Sequence, residues 1–332
     1  MSNLLEVTDL SVTYDTSAGP VTAVDHVDLT LQPGEFLGIV GESGCGKSTL
    51  LFAIAQLLTA PAGIAGGEVV FRGKNMVAMN ARELAPIRWR EMSVVMQSAM
   101  NALNPVKRLR DQFADTMRAH GVRDKAEIRA RSEDVLDLVG IDRAHLASFP
   151  HQLSGGMRQR AMIAMALLFT PELVIMDEPT SALDVVAQRS LMLQIKELQD
   201  RLGFAVLFVT HDMSLVSHFS DRLMVMYAGQ EVEFGPTRQV FDTPAHPYSR
   251  GLLDAFPSIK GERRPLEGIP GAPPSLSALP PGCRFEPRCP LAFADCATTE
   301  PALYDIAGVG SRCLLADPAR IGTETRRAGD HD

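Results

Sequence analysis

No apolar run in this 332-residue chain approaches the about 18 uninterrupted residues needed to span a bilayer; the best stretch, residues 161–169, is too short. Positive charge is also in short supply. Lys and Arg number 32 against 40 Asp and Glu, a net charge of -8 with a pI near 5.5, which argues against a nucleic-acid surface. The start, Met1-Ser2-Asn3-Leu4-Leu5-Glu6, has no basic region followed by an apolar core, so no secretory signal is expected. Cysteine is nearly missing: only Cys45 precedes Cys283, and no Cys-x-x-Cys pair occurs anywhere. The usual zinc pattern is therefore absent. What remains is 45% hydrophobic with a mean hydropathy of +0.03, enough for a large core. One main domain plus an extension is expected, soluble and cytoplasmic.

Against this background stands Gly41-Glu42-Ser43-Gly44-Cys45-Gly46-Lys47-Ser48, which fits G-x-x-x-x-G-K-[ST] without a gap. It follows the strand-like run Phe36-Leu37-Gly38-Ile39-Val40 and precedes the helix-like Thr49-Leu50-Leu51-Phe52-Ala53-Ile54. Gly41, Gly44 and Gly46 let the backbone wrap a triphosphate. Ser43, Cys45 and Thr49 complete the loop and helix start, Lys47 brings a point charge to the β/γ-phosphates, and the Ser48 hydroxyl suits Mg²⁺.

A second run, Leu173-Val174-Ile175-Met176, ends in Asp177-Glu178. Continuous apolarity fits a strand buried on both faces of a parallel sheet, and ligand chemistry gathers at the carboxyl ends of such strands. Asp177 is the candidate Mg²⁺ holder and Glu178 the candidate general base for the attacking water. Alone, the same residues would read as a strand ending in a solvated acidic turn.

The stretch Leu153-Ser154-Gly155-Gly156-Met157 adds the most. A Ser-Gly-Gly turn capping a helix is common by itself, but it also offers free N–H groups and a positive dipole end to an anion. With the two motifs above, it resembles the signature of ATP-binding cassette (ABC) ATPases. The resemblance implies an α/β P-loop NTPase core with a parallel sheet, an antiparallel β subdomain and a helical subdomain. It implies that Ser154, Gly155 and Gly156 act in trans on the nucleotide of a partner subunit. It also implies roles for Tyr14, stacked on adenine, and for Gln97, sensing Mg²⁺ and the attacking water. The loop Ser181-Ala182-Leu183-Asp184 would cross between the ATPase subunits, and His211 would reach the γ-phosphate. The loop Gln97 to Pro105 would contact a short helix of a membrane subunit.

Beyond Gly235 the composition shifts. His246-Pro247-Tyr248-Ser249-Arg250-Gly251-Leu252-Leu253 leads through a Pro-rich stretch to Gly282-Cys283-Arg284-Phe285-Glu286-Pro287-Arg288-Cys289-Pro290. This is similar to the C-terminal extension of ATPases in the oligopeptide, dipeptide and nickel importer subfamily, departing from it at Gly310-Ser311, where Gly-His is common. Cys283, Cys289, Cys296 and Cys313 fall in this segment. They could form two disulfides, a zinc site or an iron-sulfur cluster, or stay unligated. A reducing compartment argues against disulfides. The spacings suit a loop around a larger cluster, and Cys289-Pro290 is similar to the Cys-Pro of ferredoxins. A four-iron, four-sulfur cluster (4Fe-4S) is the favoured expectation, structural in role and far in sequence from the ATP motifs.

The expected organisation is a nucleotide-binding domain over 1–235, with a helical subdomain over about 97–160, and an extension over 236–332. The expected function is ATP hydrolysis powering import of di- or oligopeptides or a related small solute, at the cytoplasmic face of the membrane. Expected partners are a second ATPase subunit of a different chain, two transmembrane permease subunits and an extracytoplasmic binding protein. The competing readings are a soluble ABC ATPase of translation or DNA repair, and a P-loop kinase, which would have no use for residues 153–157.

Overall fold

In this computed structural model, residues 2–97, 102–181, 183–255 and 268–320 are described. Strands β1 (Leu5–Thr16), β2 (Gly19–Leu31) and β3 (Phe36–Val40) precede helix α1 (Lys47–Ile54), followed by β4 (Ala62–Phe71), β5 (Lys74–Asn75), α2 (Ala81–Leu84) and β6 (Met92–Val95). Helices α3 (Leu109–Ala119), α4 (Lys125–Leu138) and α5 (Gly155–Ala166) lead to β7 (Leu173–Asp177), α6 (Val185–Leu202), β8 (Ala205–Val209) and α7 (Met213–Phe219). The chain then forms β9 (Arg222–Tyr227), β10 (Gln230–Pro236), α8 (Thr237–Asp242), α9 (Pro247–Asp254), β11 (Tyr304–Ile306) and β12 (Val309–Ser311). Two compact units emerge that do not follow chain order. One comprises Met1–Glu6, Thr30–Phe36 and Val70–Val209; the other comprises Val7–Leu29, Leu37–Val69 and Thr210–Asp332.

In the first unit β6, β7 and β8 pair in parallel, with Met92 opposite Leu173 and Leu173 opposite Ala205. Every residue of β7 and β8 is buried, so their unbroken apolarity reflects cover on both faces. Phe36 packs edge-on against Phe208 with ring centres 5.8 Å apart. Helix α6 buries Leu191, Met192, Ile195 and Leu198 along one face. Burying an aliphatic side chain of this size contributes about 1.5–3 kcal/mol relative to exposure. Asp184 caps the start of α6 and Gly203, at φ 76°, ends it in the left-handed region. Helix α4 starts at Lys125 because the Asp124 carboxylate caps it, accepting from the Glu127 amide at 2.8 Å.

The second unit holds a strand series ordered β11-β12-β10-β9-β3. Strand β3 pairs in parallel with β9, Val40 opposite Val225. Strands β9 and β10 form a hairpin whose two-residue turn, Ala228-Gly229, has φ of 46° and 89°. Positive φ at both turn positions matches the right-handed twist of the strands. Strand β12 then pairs with β10, Glu233 opposite Ser311. The Cys-containing extension is thereby an integral edge of this sheet. Among the described residues, no helix is long and apolar enough to cross a membrane.

Candidate functional site

The loop between β3 and α1 is shaped by two glycines whose side-chain space is already taken. Gly41 and Gly46 have φ of 151° and 103°, and a Cβ on either would collide with a carbonyl oxygen, of Met226 and Ala23 respectively. Only glycine fits there. Lys47 opens α1 almost fully buried, its Nζ donating to the carbonyl oxygens of Gly41 at 2.8 Å and Glu42 at 2.9 Å. Cys45 is buried beside it; burial pushes its thiol pKa up, against the pull of Lys47. Ser43 and Gly44 are exposed at the crest of the loop, and Ser48 is half-buried. The Tyr14 hydroxyl lies 3.1 Å from that of Thr49, tying the predicted adenine platform to the first turn of α1. His211 sits exposed at the bend after the buried Thr210.

The carboxylates lie in the first unit. Asp177 ends β7 and is 3% exposed. Glu178 follows with φ of 44°, a conformation that costs a non-glycine residue about 1–3 kcal/mol and gathers at functional sites. Its amide donates to the Val209 carbonyl at 2.9 Å, and its Oε2 accepts from Gln97 Nε2 at 2.6 Å. Because β6 and β7 are parallel neighbours, Gln97 and Glu178 emerge at the same end of the sheet. Sequence reading named both residues; the structure brings them into contact.

Ser154 caps α5, its hydroxyl accepting from the Met157 amide at 3.3 Å, as the Ser-Gly-Gly pattern predicts. Gly155 opens the helix, and a Cβ on Gly156 would meet nothing. Gln159 of this helix donates to the Pro179 carbonyl, linking the signature segment to the chain just past Glu178. Asp184 accepts from the Ala187 amide at 2.9 Å, and the next residues, Val185 and Val186, are 78% and 80% exposed. Ala182 of this loop, and residues 98–101 of the loop after Gln97, lie outside the described residues.

Cys283, Cys289, Cys296 and Cys313 line one pocket, with His246 and Phe285 among its walls. All four thiols are free of disulfides. Burial pushes the Cys283 pKa up to about 11 and raises those of Cys289 and Cys313, with neighbouring thiols adding to the rise. His246 is buried and held neutral, its pKa lowered to about 3 by burial, and its Nδ1 accepts from the Tyr248 amide at 3.0 Å. No three His, Cys, Asp or Glu side chains among the described residues stand ready as ligands of one metal ion. Four soft thiol donors around one pocket nevertheless match the donor set of an iron-sulfur cluster.

One connection in the structure has no counterpart in any sequence motif. Arg288, beside Cys289, forms a two-pronged ion pair with Glu42 of the phosphate loop, at 2.6 and 2.9 Å. Residues 246 positions apart leave no local signal of such a pair. The extension, far from the ATP motifs in sequence, meets the phosphate loop in space.

Residues 24–181 match the ABC transporter family, and residues 232–296 match the C-terminal region of oligopeptide/dipeptide transporters. The oligopeptide transport ATP-binding protein OppD of Salmonella typhimurium is 45% identical over 300 residues, 90% of this chain and 89% of that protein. The dipeptide transport ATP-binding protein DppD of Caldanaerobacter subterraneus is 40% identical over 310 residues, covering 93% and 95% respectively. The chain belongs to the ABC transporter ATP-binding family. Among solved structures, this ABC ATPase is similar to a dimeric ATP-binding cassette in a post-hydrolysis state with ADP and Pi. That likeness has a TM-score of 0.63 at 28% identity, over 70% of this chain and 99% of the other. A second similar structure, cbiO1 of Clostridium perfringens, is part of an ABC transporter complex and gives 0.63 at 27% identity, over 73% and 92%. The ABC ATPase fold and an ATPase activity follow from family membership.

Proposed function

We propose that this ABC ATPase powers import of oligopeptides, dipeptides or a related small solute, as a peripheral subunit on the cytoplasmic face of the membrane. The observation that carries the catalytic part is the Gln97–Glu178 hydrogen bond at the carboxyl ends of β6 and β7. Residues 41–49 cradle the ATP phosphates through backbone N–H groups and Lys47, while Tyr14 stacks on adenine. By the family resemblance, Ser48, Gln97 and Asp177 are the residues that would hold Mg²⁺, which would supply charge neutralisation at the phosphates. Glu178 takes a proton from the attacking water as its oxygen bonds to the γ-phosphorus and the bond to the β–γ bridging oxygen breaks. His211 steadies the γ-phosphate. The open space at Gly156 supports a role in trans, since no contact of this chain demands glycine there. Ser154, Gly155, Gly156 and Asp184 then complete the partner subunit's site, so that two ATPs close a dimer and hydrolysis reopens it.

Peptide import is supported by relatives at 40–45% identity that match through the extension as well as the cassette. The partners are a second ATPase chain, two permease subunits and an extracytoplasmic binding protein. Affinity purification from native membranes tests this. Recovery of two polytopic subunits is expected, whereas ribosomes or DNA would favour a soluble ABC ATPase.

The convergence of Cys283, Cys289, Cys296 and Cys313 supports a 4Fe-4S cluster that braces the extension. Anaerobic purification with iron, sulfide and zinc analysis decides between the cluster and zinc.

A further inference from the structure

Glu42, the second residue of the phosphate loop, is fixed at three points. Its carboxylate takes the Arg288 guanidinium fork, with Nη1 to Oε2 at 2.6 Å and Nη2 to Oε1 at 2.9 Å. Its amide donates to the Tyr248 hydroxyl at 3.0 Å, and its carbonyl accepts from Lys47 Nζ at 2.9 Å. Two of these three anchors, Arg288 and Tyr248, come from beyond the last strand-helix unit of the cassette motifs. A two-pronged guanidinium–carboxylate pair constrains orientation as well as distance.

The Arg288 end of this clamp is rigid for local reasons. Its side chain is 5% exposed, its Nε donates to the Pro270 carbonyl at 2.8 Å, and Nη1 also reaches the Tyr227 hydroxyl at 3.3 Å. Its backbone lies in the short turn between two of the cysteines: the Glu286 amide donates to the Cys283 carbonyl at 3.0 Å, and the Cys289 amide to the Glu286 carbonyl at 3.1 Å. Phe285, in the same turn, packs against Tyr227 and Tyr248 with ring centres 5.3 and 5.4 Å away. Whatever fixes Cys283 and Cys289 therefore fixes Arg288 and Phe285. Arg288 holds Glu42, the residue next to Gly41, directly, and Phe285 does so only through Tyr248.

We propose that Arg288 and Tyr248 are positioning residues for the phosphate loop, and that closure of the four-cysteine site is coupled through them to the loop's affinity for ATP. The coupling rests on the four-cysteine site being a cluster site, as argued above. Ligation of Cys283 and Cys289 restricts the turn that carries Arg288. The restricted fork keeps Glu42, and with it the Gly41 and Glu42 carbonyls around Lys47, in the arrangement that accepts a triphosphate. A loose turn lets Glu42 sample orientations that do not bind, lowering apparent affinity by the fraction lost.

The test uses the full chain, purified anaerobically, with the dissociation constant for MgATP measured by titration calorimetry and iron and sulfide assayed in the same samples. Arg288→Gln should weaken MgATP binding at least about fivefold, the lower end of ordinary coupling between sites. It should do so while retaining the iron and sulfide content of the wild type. Arg288→Lys, which keeps the charge but not the fork, should recover only part of the loss. Glu42→Gln and Tyr248→Phe probe the same clamp from its other sides, so the result does not hang on one variant folding. Cys289→Ser should weaken binding to a similar degree, and the double variant with Arg288→Gln should lose little more than either single. Full additivity of the two, or wild-type affinity in Arg288→Gln, overturns the coupling. Wild-type protein without iron and sulfide, but with the two substitutions still non-additive, would discard the cluster and leave the clamp in place.

Discussion

Gln97 donates its amide hydrogen to the Glu178 carboxylate at 2.6 Å, joining the end of β6 to the residue just past β7. A general base works only if its carboxylate points at the water, and in the proposed role of Glu178 this bond would orient it. Removing the base while keeping its shape, as Glu178→Gln does, should cut ATP hydrolysis by about 10²- to 10⁴-fold and leave ATP binding intact. Closed, ATP-bound dimers should accumulate in the assembled transporter. Turnover within a few-fold of the wild type would remove Glu178 from that role.

Gln97→Ala should reduce turnover by roughly 10- to 100-fold, the worth of one hydrogen bond to a charged group. In a double variant with Glu178→Gln the two losses should not add, because both act on one carboxylate. Additive losses would place Gln97 in a separate function, to be read from steady-state rates of the four proteins.

Ser154→Arg puts a long cation at the exposed cap of α5. Affinity for ATP in the isolated chain, which the proposal assigns to residues 41–49, should stay nearly unchanged, while hydrolysis in the assembled complex should fall at the partner's site. A large drop in affinity of the monomer would contradict action in trans.

Gly46→Ala should distort the phosphate loop, since φ of 103° disfavours an L side chain and the added Cβ would strike the Ala23 carbonyl. Loss of more than about tenfold in ATP affinity is expected, on the order of 1.4 kcal/mol. Gly44→Ala makes the control: its φ of 80° is also positive, but its Cβ would meet open space, so the effect should be smaller. Equal effects would mean that backbone strain, not the collision, decides.

Cys289→Ser should abolish the brown colour and the four irons and four sulfides per chain that define the proposed cluster. Protease digestion should then cut the extension faster, because a turn released from ligation exposes more backbone. Stoichiometric zinc without iron in anaerobic wild-type protein would settle the matter against the cluster.

Phe36–Val40 and Leu173–Asp177 were legible in the sequence, because a strand covered on both faces must be apolar throughout. The phosphate loop and the cap at Ser154 were legible for a similar reason: glycine with positive φ and a hydroxyl at a helix start are local demands, answered by local residues. The cassette motifs and the family resemblance were thus carried by local residue patterns. Only the folded chain shows that Gln97 meets Glu178 across 81 positions and that Arg288 grips Glu42 across 246. Such pairings depend on strand order and register, above all on β10 lying between β9 and β12, and residue periodicity carries no record of which distant strand becomes the neighbour.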